Sequence, residues 1–449
     1  MLFQSKLISV NTITKNSNYK TPETEISRLL AEVLKPNSNF LSQYKNKVFS
    51  VGGFVRDEYL NITSNDLDLA IEMQNGAEQF SNALHALFNT QTTTPFQKGL
   101  GYPIWYLKFN EDIIFENKTY STKNGSVDFA DTQKECFPDP HTRQRITTYG
   151  TLPEDIQRRD FTINMLAKNL STGEVIDLSN KGFLDLNSRQ IQTHPLMSAD
   201  QVFSDDPLRM IRAVRFAVKY DFTITEIIKK SIIKNHYRLQ IVSSERIWGE
   251  LKKMIESGTF FKALQIFQEL QLFSEIFKHI QLSESHLQIL LALPKNTDCI
   301  FNLVQFLTLT TIEDSQKTLK ELKIEQIIAK KAIKTLTALA LLKSEAQSWT
   351  LLQFRQFIRT YSDTLSLLQQ LKPEYSEKIS SAQKIPVQMN PHINGDDVMR
   401  LFKVQGAKIK DILNLTLQYE DELILRTNST LTESNKILIL QHLKEHFKC

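Results

Sequence analysis

Hydrophobic and polar positions change rhythm about 200 residues into the chain. Before that point two periods alternate. Ile26, Leu29, Leu30 and Val33 recur at three- and four-residue steps behind Thr24 and stop short of Pro36, the spacing of an amphipathic helix with a polar start and a proline end. Val48, Phe49, Ser50 and Val51 read as a buried strand running into Gly52-Gly53, and Leu67, Leu69 and Ile71 alternate with Asp66, Asp68 and Ala70. That alternation is the period-two signature of a half-buried strand. Residues 104–109 and 125–129 are further strand candidates. From about Ser204 the helical period takes over, as in Ile247, Leu251 and Met254 and again in Leu264, Phe267 and Leu270. The stretch from Pro373 to Pro391 reads as a loop before the last helical unit. No repeat of fixed period occurs. The pattern predicts an α+β head with a small mixed sheet, followed by an all-α array.

Composition narrows the class without choosing a function. A chain of 449 residues is too long for one core and predicts three or four domains. Hydrophobic residues at 41% and charged residues at 23% are ordinary for a globular protein. No apolar run approaches the roughly 20 residues that span a bilayer. The net charge of +4 is compatible with a polyanionic partner but does not require one. Cys136, Cys299 and Cys449 are odd in number and widely spaced. They support neither a disulfide framework nor a zinc site and point to a reducing, cytoplasmic setting. Met1 to Lys20 holds lysines, serines and threonines but no acid and no arginine. It reads as an N-terminal extension in preference to an organelle-targeting peptide.

The strongest candidate chemistry lies in Val51-Gly52-Gly53-Phe54-Val55-Arg56-Asp57, followed by Asp66-Leu67-Asp68. A strand, two glycines and a helix aim backbone N–H groups at a point where a triphosphate can sit, and glycine leaves room for close approach. Arg56 falls in the first turn of that helix, within reach of phosphate oxygens or of the acidic strand. Asp66 and Asp68, two apart on a strand, share a face. Two such carboxylates repel unless cations bridge them, which predicts Mg2+ shared between carboxylates and substrate phosphates. Asp128, on the strand with Val127 and Phe129, is the natural third carboxylate. A pair of metal ions so placed activates a 3′-hydroxyl and stabilises a leaving pyrophosphate.

With these segments the chain resembles the class II tRNA nucleotidyltransferases, the family that also contains bacterial poly(A) polymerases. Gly52-Gly53-x-Val55-Arg56-Asp57 with Asp66-x-Asp68 is similar to the family's catalytic motif, and Glu154 through Asn164 to its ribose and phosphate motif. By that resemblance Asp160 holds a ribose hydroxyl and Arg159 the triphosphate. Asn164 is expected four residues along the same helix face as Asp160. Asp177 to Asp185 resembles the hinge, Ser204 to Phe216 the base-selecting motif, and Ser244 to Leu251 the neck helix. Three positions depart from the pattern: Asp205 stands where Glu is usual, Gln192 near the hinge and Gln133 after the third carboxylate where Arg is usual. The resemblance implies a nucleotidyltransferase catalytic head over residues 1–165, a nucleotide-selecting neck over 166–255, a helical body over 256–345 and a tRNA-binding tail over 346–449. The activity implied is addition of C, C and A to the tRNA 3′ end from CTP and ATP, with poly(A), CC-only or A-only synthesis as the alternative. An RNA-binding relative without catalysis is the remaining reading, and it leaves Asp66, Asp68, Arg159 and Asp160 unexplained.

The base-selecting segment also has a chemical reading of its own. Asp206 and Arg209, three apart on a helix expected to begin at Pro207, are predicted neighbours. Cytosine and adenine each present an exocyclic amine beside an acceptor ring nitrogen, so a carboxylate and a guanidinium together suit both. Uracil and guanine reverse that polarity, and each mispaired dry contact costs about 1–3 kcal/mol. Arg212 and Arg215 continue the stripe toward phosphate or clamp the helix. Further on, Asn394 to Met399 with Gly406, Ile409 and Leu413 is similar to the family's tail. Lys330, Lys331 and Lys334 form a basic cluster on a predicted helix, suited to a phosphate backbone or to a solvated face.

Overall fold

The computed structural model describes residues 12–13, 24–64, 67–98, 103–136, 146–384, 387, 390–427, 430–431 and 433–447. Asp66 and most of residues 1–20 lie outside them. Two compact units are present: residues 1–250 with 262–276, and residues 251–261 with 277–449.

An eight-stranded mixed sheet organises the first unit. Its strands are β1 (Thr12–Ile13), β2 (Val48–Val51), β3 (Leu67–Ile71), β4 (Phe96–Lys98), β5 (Ile104–Lys108), β6 (Ser126–Asp131), β7 (Leu166–Asn169) and β8 (Val175–Asp177). Their order across the sheet is β1-β8-β7-β2-β3-β6-β5-β4. Because β7 and β8 pair into this sheet, it continues past the expected head boundary at residue 165. Helix α1 (Glu25–Val33) starts where Thr24 accepts a hydrogen bond from the Ser27 N–H, as its pattern predicts.

The alternation along β3 sorts its two faces. Leu67, Leu69 and Ile71 join Val127, Phe129 and Leu107 in a core covered by α1 and by α3 (Gly76–Phe88), with α2 (Gly53–Tyr59) following β2. On the other face Ala70, Val51 and Ala167 pack with Leu152 and Ile156 of α4 (Leu152–Gln157). Helix α4 carries a full capping box between Thr151 and Glu154, with proline in its first turn. Beyond the sheet come α5 (Gly182–Asn187), α6 (Ala199–Asp205), α7 (Leu208–Tyr220), α8 (Glu226–Asn235) and α9 (Ser244–Glu256).

The second unit is helical among its described residues. Phe260, Phe277 and Phe306 meet edge to face, and fully buried Arg355 pairs with Asp421 at 2.8 Å. The expected loop from Pro373 is partly helical, with a short turn at Pro373–Tyr375 and a helix at Ser376–Ala382. In the basic cluster, Lys334 is paired with Asp363 at 2.6 Å. Among the described residues no helix is long and apolar enough to cross a membrane.

Candidate active site

The sheet register builds the acidic part of the site. β3 and β6 run parallel with Asp68 directly beside Asp128, so their backbones lie about 4.8 Å apart and both side chains leave the same face. Asp68 is exposed between buried Leu67 and Leu69, and the Asp128 side chain is 37% exposed. Lys98 reaches Asp128 at 2.9 Å. An ammonium there shows that this carboxylate face attracts and accommodates a cation. Among the described residues no group of three or more metal-type ligands gathers, and Asp66 stands outside them. Two adjacent exposed carboxylates nevertheless form a donor set suited to a hard cation that keeps several waters, as Mg2+ does.

The glycine turn lies at the neighbouring strand end. β2 and β3 are antiparallel, which brings the end of β2 beside the start of β3. Gly52 takes φ +66° and ψ −121° there, a combination that an L side chain resists. A Cβ on Gly52 would also stand 2.5 Å from an Arg159 guanidinium nitrogen. Arg159 is held from behind by Asp155 at 3.0 Å, and its Nε is buried without a hydrogen-bond partner. An orphaned cationic donor over a glycine turn is a competent phosphate contact.

Asp160 stands at the centre of a buried network. Its Oδ1 accepts from the Asn164 side chain at 2.8 Å and from the Phe161 N–H at 2.9 Å, and its Oδ2 accepts from Arg212 Nε at 2.7 Å. Burial works against the charge on Asp160, but Arg212, Asn164 and Arg209 outweigh it and hold the carboxyl far below its usual range. The expected helix joining Asp160 to Asn164 does not form. Phe161 is extended and Thr162–Asn164 is a single 3-10 turn, yet that bend brings the two side chains together.

Arg56 differs from expectation. It is buried, donates to Asp57 at 2.8 Å, and bonds Asn164 and the Tyr220 hydroxyl. Its cation also lies 4.5 Å from the centre of the Tyr220 ring. With its donors so engaged, Arg56 is an internal strut joining α2 to α7, in place of the expected phosphate contact. Tyr220, whose hydroxyl in turn donates to Asp57 at 2.8 Å, carries no sequence motif that would single it out.

The arginine stripe on α7 divides in the same way. Buried Glu250 on α9 bonds both Arg215 and, at 3.4 Å, Arg212. These two arginines therefore clamp α7 to α9 through one carboxylate. Pro207 caps α7 instead of opening it, so Asp206 lies outside the helix. Asp206 is forked by Arg246 at 2.6 and 3.2 Å, while Arg209 donates to the carbonyl of Arg158 at 2.6 Å. The expected side-by-side pairing of Asp206 with Arg209 on one helix is corrected accordingly: each is positioned by a different partner. At two of the departing positions the backbone takes part in the fold, and the Gln192 side chain also accepts from the Thr225 hydroxyl at 3.2 Å. Gln192 accepts from the Thr162 N–H and Gln133 donates from its N–H to Asp155.

Residues 48–192 match the model of the poly A polymerase head domain, and residues 221–282 match that of a probable RNA- and SrmB-binding site of polymerase A. These two matches fall in the order head domain then RNA-binding region, so over these segments the chain is similar to poly(A) polymerases and tRNA nucleotidyltransferases. A tRNA nucleotidyltransferase of Schizosaccharomyces pombe is 33% identical over 277 residues, covering 59% of this chain and 52% of that protein. The CCA-adding enzyme of Limosilactobacillus reuteri is 32% identical over 224 residues, covering 50% and 49%. The chain thus spans about half the length of the curated relatives it matches. Among solved structures, the Bacillus stearothermophilus CCA-adding enzyme in complex with CTP superposes with a TM-score of 0.66 at 20% identity, covering 95% of this chain and 98% of that one. The Thermotoga maritima CCA-adding enzyme complexed with tRNA gives 0.59 at 18%, covering 95% and 97%. These likenesses establish the fold: a mixed-sheet head like theirs followed by a mostly helical remainder.

Proposed function

We propose that the chain is a template-independent CCA-adding tRNA nucleotidyltransferase that uses CTP and ATP and releases pyrophosphate. The observation that carries this reading is the placing, on neighbouring central strands of the sheet, of the Asp68–Asp128 carboxylates beside the Gly52 turn under Arg159. The 3′-oxygen of the RNA attacks the α-phosphorus, the bond to pyrophosphate breaks, and the hydroxyl proton passes to Asp128. Asp68 and Asp128, with Asp66 by its place in the sequence, would hold Mg2+, which stabilises charge on the reacting phosphate when bound. Arg159 binds the triphosphate through the guanidinium that lies against the Gly52 turn, where the lack of a Cβ leaves room for it. Asp160, kept anionic, accepts from a ribose hydroxyl, with Asn164 fixing its orientation.

Asp206 and Arg209 read the base edge, the carboxylate accepting an amine and the guanidinium donating to a ring nitrogen. Arg246 and the Arg158 carbonyl set their positions, so the choice of C or A is built from protein groups alone. The relatives named above as CCA-adding support this output. The helical second unit supplies the length along which an acceptor arm can meet the protein, because duplex RNA is recognised by shape and backbone contacts. Incubating the purified chain with tRNA lacking CCA, CTP, ATP and magnesium, then sequencing the 3′ ends, tests the reading. Ends of CCA uphold it. A homopolymer of A, or C or A alone, assigns the narrower activity, and unextended ends refute catalysis.

A further inference from the structure

One part of the sheet face that carries Asp68 and Asp128 is left open. Register places Phe96 of β4 opposite Tyr106 of β5, Tyr106 opposite Asp128, and Asp128 beside Asp68. Residues so paired share a face, which gives one row across four strands: Phe96, Tyr106, Asp128, Asp68. The apolar residues of this face nearer β2 and β7 are covered by α4. At the β5–β4 end the face stays exposed, with Phe96 at 49% and Ile104 at 39% of full accessibility. The two rings lie 5.1 Å apart with their planes tilted by 55°. Lys98, on the same face two residues from Phe96, sits 3.5 Å over the Tyr106 ring and 2.9 Å from Asp128.

An exposed phenyl ring beside a half-buried tyrosine costs solvation unless something covers it, and a cation and two carboxylates frame this pair. Tyr106 is one strand spacing from Asp128 and Phe96 is two, about 5 and 10 Å. That is the reach of a ribose and its base when the 3′-hydroxyl stands at the carboxylates. We propose that Phe96 and Tyr106 form a stacking platform for the 3′-terminal base of the RNA being extended, with Lys98 contacting its backbone phosphate. This rests on the nucleotidyl-transfer reading and adds a subsite for the primer end. A π-face is common to every base, so the platform holds the end whether it is the encoded nucleotide or a newly added C. Lys98 draws the phosphate to the site and keeps Asp128 neutralised until the RNA arrives.

The test uses the full chain and two forms of a tRNA acceptor hairpin lacking CCA, one natural and one with an abasic 3′-terminal sugar that keeps its hydroxyl. The wild-type chain is expected to show a KM for the natural end about 10-fold below that for the abasic end. Phe96→Leu and Tyr106→Leu should each erase most of that preference by raising KM for the natural end alone, while Phe96→Trp keeps it. A terminal 2-aminopurine should lose fluorescence on binding to the wild type and lose much less with Phe96→Leu. Unchanged preference in both leucine variants overturns the platform, as does a wild type that ignores the missing base. Failure of the wild type to extend either RNA refutes the transfer reading instead, and Phe96-dependent quenching would still uphold the platform.

Discussion

Replacing Gly52 by alanine tests the phosphate half of the site most directly, because the structure supplies both terms of the cost. At φ +66° and ψ −121° the backbone lies outside the regions an alanine favours, a strain of about 1–3 kcal/mol. The new methyl would stand 2.5 Å from the Arg159 guanidinium, so Arg159 must withdraw and weaken its 3.0 Å bond to Asp155. A charged hydrogen bond of that kind contributes roughly 1.5–3 kcal/mol. Partial relaxation leaves a loss of about 3 kcal/mol, which lowers Tm by roughly 6–12 °C in a unit of this size. If Arg159 also binds the triphosphate, kcat/KM for CTP and ATP falls together by about 10- to 100-fold. Differential scanning fluorimetry and labelled-nucleotide incorporation, measured below the lowered Tm, read the two effects. Gly53→Ala is the control. Its Cβ would meet the Arg56 guanidinium, no nearer than 3.3 Å, with no positive φ, so a smaller change is expected in both assays. Gly52→Ala with wild-type kcat/KM for both nucleotides would refute the placement of the triphosphate over this turn.

Three further outcomes follow from the same geometry. Asp68→Asn should leave Tm within a few degrees, because the side chain is exposed, while incorporation falls by about two orders of magnitude or more; normal turnover in magnesium would remove Asp68 from the metal site. Arg209→Ala should relax discrimination among the four triphosphates by roughly 10-fold, with tRNA affinity by filter binding unchanged; intact selectivity would discard its base-reading role. Asp160 is held below its ordinary pKa chiefly by Arg212 against the cost of burial, so the stability it contributes is fully present above the unfolded value. That contribution is lost as pH falls below about 3.9 toward the folded value. The gap in urea midpoint between wild type and Arg212→Met should therefore be widest near pH 7 and narrow below pH 4, and a gap constant from pH 7 to pH 3 would contradict the assignment.

Much of this protein is legible in its sequence because it depends on neighbours along the chain. Period two sorted the side chains of β3 between its two faces, although α4 buries Ala70 on the face where Asp68 stays exposed. Thr24 marked the start of α1, since a cap acts within three residues. The Gly52-Gly53 turn is local for the same reason. What tertiary structure decided is the employment of the long charged side chains. Arg56, Arg212 and Arg215 look alike as basic residues on helices, yet packing gives each its own partners: Arg56 meets Asp57, Asn164 and Tyr220, Arg215 meets Glu250, and Arg212 meets Asp160 as well as Glu250. Asp206 found Arg246 forty residues away instead of the neighbour its spacing suggested, and Asp160 met Asn164 through a bend, not a helix. The row from Phe96 to Asp68 exists only because four strands whose order across the sheet differs from their order in the chain align in register. Periodicity determines the face of an element on which a residue lies. Which groups lie opposite that face is set by packing between elements distant in sequence, and in a buried, low-dielectric setting those partners decide whether a charge is a strut or a ligand.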